Sequence, residues 1–523
     1  MALLGAVGVV SAATSLFDKT VLHLDLGLAV ALLALFALLP LLSRTTSHII
    51  NFISWSSSKK ATSSSLPHVS SLVPWIGHAL ELRRRGARHI HQLIVNTSAE
   101  IFTIDILSKR VFVLNPSLDR ALAKNVHQTS LARVISFIGH RSLGFTKEGV
   151  RTIAEHDPRP VHSQLFANCR GAASLSAQSA EYIRDQVLGQ PREQDTDAGR
   201  WVFNLVLGAS AHALWGPRNP WNEDPEFLKQ FVIVSDGLES LSQPLAQYTA
   251  KQTYQARDFL LEKLMAFHRA NPKCAEQSVA HYINAIAMND QDWRNNKDYY
   301  RCELLEALGL LATASTLSAW LLRHLLASPE LLEKVVREVR MLKPSEPSTA
   351  CSPASERMEG EDIRITCPHL VAAWYETLRL HVTAVPRVAS GDFDLAVSSL
   401  DAPVSIKEGD VLLLPMMSFN LDPKTWGPDA ATFSAERFID DAGRLRVQKA
   451  RKVRGFGVAG NLCPGRNFGF DTAMAALTML LRGFEMSRPH NSGTGFPEPK
   501  PMAGTNVGFE RIADDVSVRL TRL

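Results

Sequence analysis

Residues 303–326 carry apolar side chains at Leu304, Leu305, Leu308, Leu311, Ala312, Leu322 and Leu326, which cover several faces of a helix rather than one stripe. A helix apolar all round belongs in an interior, not on a surface. Pro329 ends the run, and charges at Glu333, Lys334, Arg337, Glu338 and Arg340 give residues 330–341 the pattern of an amphipathic helix. The chain must therefore build a body thick enough to enclose a long central helix. With 523 residues, 46% of them hydrophobic, it has the material for one large core.

Few strand signals interrupt the helical periodicity. Residues 368–380 read as another helix, and short β-like runs follow at 393–397 and 411–414. A turn-rich stretch contains Asp422-Pro423 and Trp426-Gly427-Pro428. Residues 343–362, rich in Ser, Pro and Glu, read as an exposed, poorly ordered loop. The fold class expected is mainly α with minor β, not a doubly wound α/β sheet.

A formal charge of +4 is small for this length and argues against a nucleic-acid binder. The six cysteines form no CxxC pair, so neither a zinc module nor a disulfide framework is indicated, and free thiols suit a reducing compartment. Two apolar stretches open the chain, 2–17 and 26–42; the second has no charged residue and would span roughly 25 Å as a helix, enough for a bilayer core. Arg44, Lys59 and Lys60 follow, which places the body on the cytosolic side. A signal peptide would need a basic start, which is absent before Ala2. The organisation expected is an N-terminal membrane anchor over 1–45, a Ser-rich linker over 46–65 and a catalytic domain over 66–523.

The segment from Phe456 to Arg466, FGVAGNLCPGR, is the richest in chemistry. A thiolate that binds iron beneath a porphyrin needs a rigidly held cysteine with small neighbours, and Gly457, Ala459, Gly460 and Gly465 surround Cys463 in that way. Backbone N–H groups aimed at the sulfur would tune its electron donation. A free buried cysteine or a plain Gly-rich turn would give the same letters. The literal GxGxxG over residues 455–460 follows a basic stretch rather than an apolar strand, so it is a chance match. Lys449, Arg451, Lys452 and Arg454 lie just upstream and could receive an acidic electron donor.

Phe456, Cys463 and Gly465 stand at the spacing of the cysteine loop of the cytochrome P-450 family, which the chain resembles. Ala459 and Asn461 depart from the family's usual Gly and Arg, so another cation must replace the second at a haem propionate. The Cys-Pro-Gly-Arg-Asn-Phe run is similar to the branch that includes bile-acid 7α-hydroxylases, prostacyclin synthase and many fungal secondary-metabolism members. Glu376 and Arg379, at i and i+3 on one helix face, and Arg437 in the downstream Glu-Arg-Phe segment resemble the family's buried structural triad. Arg387, after Pro386, resembles the family's propionate partner, and residues 67–82 its proline hinge and first strand, so the resemblance covers the whole chain after the anchor.

The resemblance implies the cytochrome P-450 fold and haem b (iron protoporphyrin IX) ligated by Cys463, with Phe456, Gly457, Gly465, Arg387 and Arg466 around the cofactor. Thr313 stands at the family's spacing before Pro329 for proton delivery, with Thr316 as the nearby alternative; Ala312 replaces the usual acid. By family position, Val382, Ala384, Val385 and Thr505 line the substrate pocket. The implied activity is a monooxygenase that oxidises a lipophilic small molecule, using dioxygen and NADPH-derived electrons. The implied partners are NADPH-cytochrome P-450 reductase, cytochrome b5 and the membrane of the endoplasmic reticulum, with the catalytic domain facing the cytosol. Two other functions remain open from the sequence: a haem-thiolate isomerase or dehydratase that needs no reductase, and a membrane-tethered haem carrier or sensor.

Overall fold

The computed structural model describes residues 66–523 except 72–75, 108, 131, 157–158, 168, 244, 289–292, 343–362, 459, 490–494 and 505–507. The expected anchor, the Ser-rich linker, the 343–362 loop, Ala459 and Thr505 lie outside the described residues. Nine of the helices position the site: α1 (Ala87–Thr97), α2 (Arg159–Ala167), α3 (Cys169–Gly189), α4 (Ala198–Trp215), α5 (Lys297–Leu310), α6 (Ala312–Ala327), α7 (Pro329–Met341), α8 (Pro368–His381) and α9 (Arg466–Gly483). They surround α5 and α6: α4, α8 and α9 pack directly on α6, α3 backs α4 and α9, and α7 lies across α8 and α9. The main core fills these contacts, with Leu304, Leu311, Leu321, Leu325, Leu370, Ala473 and Leu477 fully buried. Each such leucine contributes about 1.5–3 kcal/mol of transfer free energy.

The central helix expected over 303–326 begins earlier, at Lys297, and is two segments that break at Leu311. Asn296 sets the start by accepting a hydrogen bond from the Asp298 N–H at 2.8 Å. The break has a chemical cause. Ser315 Oγ donates to the Leu311 carbonyl at 2.7 Å and Thr316 Oγ1 to the Ala312 carbonyl at 2.8 Å, so two hydroxyls compete for the carbonyls of one turn. Back-bonding of this kind bends helices. Pro329 opens α7, where its missing N–H costs nothing. Among the described residues, Lys297–Ala327 is the one helical run long and apolar enough to cross a membrane, and most of it is buried as a core helix would be.

Eleven short strands complete the described chain. β1 (His68–Val69), β2 (Ile101–Ile106), β3 (Lys109–Leu114), β4 (Thr129–Ser130), β6 (Val385–Ala389) and β9 (Val411–Leu414) form a mixed sheet in the order β1-β2-β3-β9-β6-β4. The expected run 411–414 is β9, with Val411 opposite Val111 on β3 and Val388 on β6. The run 393–397 shortens to β7 (Phe393–Leu395), paired with β8 (Val404–Ile406). β5 (Glu193–Asp197), β10 (Phe484–Ser487) and β11 (Ser517–Arg522) make a separate antiparallel sheet at the C-terminal end.

A buried polar chain locks the C-terminal segment onto the central helix. Arg88 on α1 grips Glu510 through two hydrogen bonds, at 2.7 and 2.9 Å; Glu510 Oε2 is 3.2 Å from His381 Nδ1, and His381 Nε2 is 2.8 Å from His324 Nε2 on α6. Trp320 stacks on His381 and donates its indole N–H to the Glu510 carbonyl at 2.6 Å. A donating His381 Nδ1–H leaves Nε2 to accept from His324, so one neutral tautomer on each ring satisfies the chain. Burial holds both imidazoles below their ordinary pKa, His324 further than His381, whose depression Glu510 partly offsets.

Above pH ~6.5 neither the folded nor the unfolded chain protonates these rings and their contribution is fully present. As pH falls below that value the unfolded chain takes up protons that the folded one refuses, and stability is lost by about 1.4 kcal/mol per pH unit for each ring that stays neutral. The urea midpoint is expected to drop between about pH 7.5 and pH 5.5. An unchanged midpoint contradicts the neutral pair.

Candidate active site

Cys463 ends a tight loop that delivers it to the N-terminus of α9. The loop closes on itself: the Cys463 N–H donates to the Phe456 carbonyl at 2.7 Å, and Asn461 N–H to the Val458 carbonyl at 3.2 Å. Gly457 has φ +116°, and a Cβ there would stand 2.0 Å from the Asn461 carbonyl oxygen, so only glycine fits the turn. Cys463 is accessible on one side although protein surrounds it. That surrounding raises the thiol pKa, while the Gly465 and Arg466 N–H groups, aimed at the sulfur, and the Arg466 charge pull the other way. The Arg466 guanidinium braces the loop through the Cys463 carbonyl at 3.0 Å. A Cβ on Gly465 would meet nothing within 4 Å, so that side of the loop is open.

The central helix presents an open face nearby. From 302 to 326 every residue is buried except Leu305, Glu306, Gly309, Leu310, Thr313 and Thr316, which follow the three-to-four spacing of one helix face. Gly309 is exposed and a Cβ on it would meet nothing within 4 Å, so this face borders internal space. Gly469 on α9 brings the two parts together, since a Cβ there would lie 3.5 Å from the Cβ of Ala314. Thr313 and the Cys463 end of α9 thus flank one contact. The two candidate threonines differ: Thr316 spends its hydroxyl on the Ala312 carbonyl, whereas the Thr313 hydroxyl bonds to no described residue. Glu306, which the sequence alone did not single out, is the acid on this face; its signal was a charge two turns before Thr313, in a segment where Glu303 is the other acid.

Glu376 and Arg379 meet in full burial, and Arg437 closes on them from a partly exposed position. Arg379 Nε and Nη2 donate to the two Glu376 oxygens at 2.7 and 2.8 Å, and its Nη1 binds the carbonyls of Asn420 and Ala430, both at 2.6 Å. Arg437 Nε reaches Glu376 Oε1 at 3.3 Å, and its Nη2 pairs with Asp429 at 2.8 Å. Ser434 N–H also donates to Glu376 Oε1, at 2.9 Å. The triad therefore pins α8 to the 420–437 meander.

The remaining candidates divide. Arg387, buried on β6, donates to the Pro386 carbonyl at 3.2 Å. Val382 and Ala384 are sealed where the C-terminal segment pairs with them, Thr383 N–H donating to Gly508 O at 2.9 Å, while Val385 stays partly accessible. The basic stretch separates as well. Arg454 turns inward over Phe419 toward Asp119, whereas Lys449 and Lys452 join Arg444 and Arg446 along an open cleft of about 790 Å³. Burial and the neighbouring Arg437 and Arg446 lower the pKa of Lys449.

A bare metal ion needs several protein ligands. Among the described residues no three His, Cys, Asp or Glu side chains converge to hold one. One accessible sulfur, backed by two N–H donors and an open glycine, suits instead a macrocycle that brings its own nitrogens and takes a single axial ligand. The family model that matches is Cytochrome P450, over residues 67–507. The chain belongs to the cytochrome P450 family. As a P450 it is a haem-thiolate, oxygen-incorporating oxidoreductase whose general cofactor is haem b with cysteine ligation. Similar curated proteins include the cytochrome P450 monooxygenase nodJ of Hypoxylon pulicicidum, 22% identical over 80% of this chain and 82% of that protein. A cytochrome P450 monooxygenase of Gibberella zeae is 24% identical over 87% and 88%. The cytochrome P450 monooxygenase poxD of Penicillium oxalicum is 23% identical over 80% and 86%. Cys463 is the candidate to hold the iron of such a cofactor, with open space beside Gly465 and with Gly457 serving the turn that presents the sulfur.

Proposed function

We propose that this P450 hydroxylates or otherwise oxidises a lipophilic small molecule of terpenoid, steroid or alkaloid-like character, with dioxygen and NADPH-derived electrons. The observation that carries the reading is the accessible Cys463 thiol and the Thr313 hydroxyl, unbonded among the described residues, on either side of the Gly469–Ala314 contact. Bound haem b supplies the iron centre at which dioxygen is activated. The chain's own residues do the rest. Cys463 donates electron density, and the Gly465 and Arg466 N–H groups restrain that donation. Leu305 and Leu310 keep the cavity face apolar and exclude water. Thr313 Oγ1–H, which bonds to no carbonyl among the described residues, would pass on a proton.

Electrons would arrive from NADPH-cytochrome P450 reductase, with cytochrome b5 as a second donor, at the face of Arg444, Arg446, Lys449 and Lys452, which fits an acidic partner. Residues 26–42 would tether the body to the endoplasmic reticulum membrane on its cytosolic side, where lipophilic substrate partitions. Incubation with reductase, NADPH and isotopically labelled dioxygen should place label in the product. Product formed without NADPH or label would instead mark an isomerase or dehydratase, the reading that Ala312 in place of an acid favours.

Thr313→Ala is expected to lower product formed per NADPH on the order of tenfold or more while NADPH oxidation continues. Thr316→Ala, whose hydroxyl is already spent on Ala312, should stay coupled. Unchanged coupling in Thr313→Ala removes the threonine from proton delivery.

A further inference from the structure

Glu306 is the carboxylate on the partly open face of the interior helix α5, and neither the cysteine loop nor the buried triad uses it. Its Oε2 lies 2.9 Å from His162 Nε2 on α2, and the two side chains are only 11% and 12% exposed. His162 is itself held by stacking on Phe166, which packs on Phe468 of α9. The second oxygen, Oε1, has no hydrogen-bond partner among the described residues, yet it is not one of the sealed buried atoms. A carboxylate stripped of most of its water, fixed through one oxygen and open through the other, favours a hydrogen-bond donor brought by a ligand.

Its position also sets a distance. Glu306 and Thr313 stand on the same face, seven residues apart, which is about 10 Å along a helix axis. Leu305 and Leu310 supply the apolar wall between them. We infer that Glu306, oriented by His162, binds a hydroxyl or amine donor of a lipophilic substrate and so holds a carbon about 10 Å from that donor beside Thr313. This rests on the oxygenase reading of the site and adds a substrate feature to it: an apolar skeleton with a polar donor at one end and the oxidised carbon at the other. Glu306 is then a specificity-determining residue, and His162 a positioning residue that acts through it.

The test uses the haem-loaded protein and equilibrium dialysis, with dodecan-1-ol and 1-methoxydodecane as probes; methylation of the oxygen removes the donor and keeps the acceptor and the alkyl chain. The native protein should favour the alcohol by about tenfold, the scale of one hydrogen bond to a charged group. Glu306→Leu should abolish that preference. Glu306→Gln, which keeps the bond to His162 but not the charge, should leave an intermediate ratio. Each variant is first checked for the thiolate-type band of its reduced, CO-bound form, so a misfolded variant is recognised and Glu306→Gln then carries the comparison. Loss of that band in the native protein defeats the oxygenase reading itself. With the band present, equal affinity for both probes, binding of neither, or the same ratio in native and variant proteins overturns the inference and leaves the His162–Glu306 pair as a brace between α2 and α5.

Discussion

Cys463→Ala should leave a folded protein that neither retains haem nor incorporates oxygen. Removing even an outer partner of a metal ligand costs roughly 10- to 100-fold in affinity, so loss of the single ligand should exceed that. The fold should survive because Cys463 is accessible and its loop is held by backbone contacts, the Phe456 carbonyl and the Gly457 turn, that alanine preserves. The expected measurement is haem absorbance per protein after purification, beside a thermal unfolding curve of the haem-free chain compared with haem-free native protein. Full haem retention with a thiolate-type spectrum in Cys463→Ala would place the ligand on another residue. Of the other described cysteines, Cys302 and Cys367 are buried, with thiol pKa values pushed up by burial, that of Cys367 to about 11, and Cys274 is half-buried outside the Cys463 loop.

Arg379→Ala should be the most damaging change to the fold. Arg379 and Glu376 are both fully buried, and the substitution takes the bidentate partner from Glu376, leaving it only Arg437 and Ser434 on Oε1, and strips the Asn420 and Ala430 carbonyls of their donor. Breaking a buried pair from one side costs about 3–5 kcal/mol, against a total stability of roughly 5–15 kcal/mol for a folded domain. A lysine at this position should not rescue it, because a point charge cannot serve a bidentate carboxylate and two carbonyls at once. The readout is the urea midpoint, or soluble yield if the variant does not accumulate. A midpoint equal to that of the native protein contradicts the assignment of Glu376, Arg379 and Arg437 as the clamp that pins α8 to the meander.

Much of this was legible in the residues because the informative patterns are local. The Cys463 loop and the Glu376–Arg379 spacing lie within single elements, and Arg437 follows in a segment of recognisable letters. The central helix could be read from its all-round apolar pattern, and strand β9 from four consecutive apolar residues. Its break at Leu311 could not, because it arises from Ser315 and Thr316 hydroxyls that turn inward to carbonyls, and a sequence gives no rotamers. The six-stranded sheet was mostly invisible for a different reason. Strands of two residues, such as β1 and β4, have no period to detect, and β3 and β9 pair across about three hundred residues. The Arg88–Glu510–His381–His324 chain likewise joins four elements far apart in the chain. Glu306 was visible as a letter and not as a site, since only packing shows which face of an interior helix borders open space.

The absorption spectrum of the reduced, CO-bound protein tests the central assignment most directly. Ligation by the Cys463 thiolate predicts a Soret band at the long-wavelength position characteristic of sulfur-ligated haem, lost in Cys463→Ala. A band at the shorter wavelength typical of histidine-ligated haem, in freshly prepared and folded protein, would contradict it.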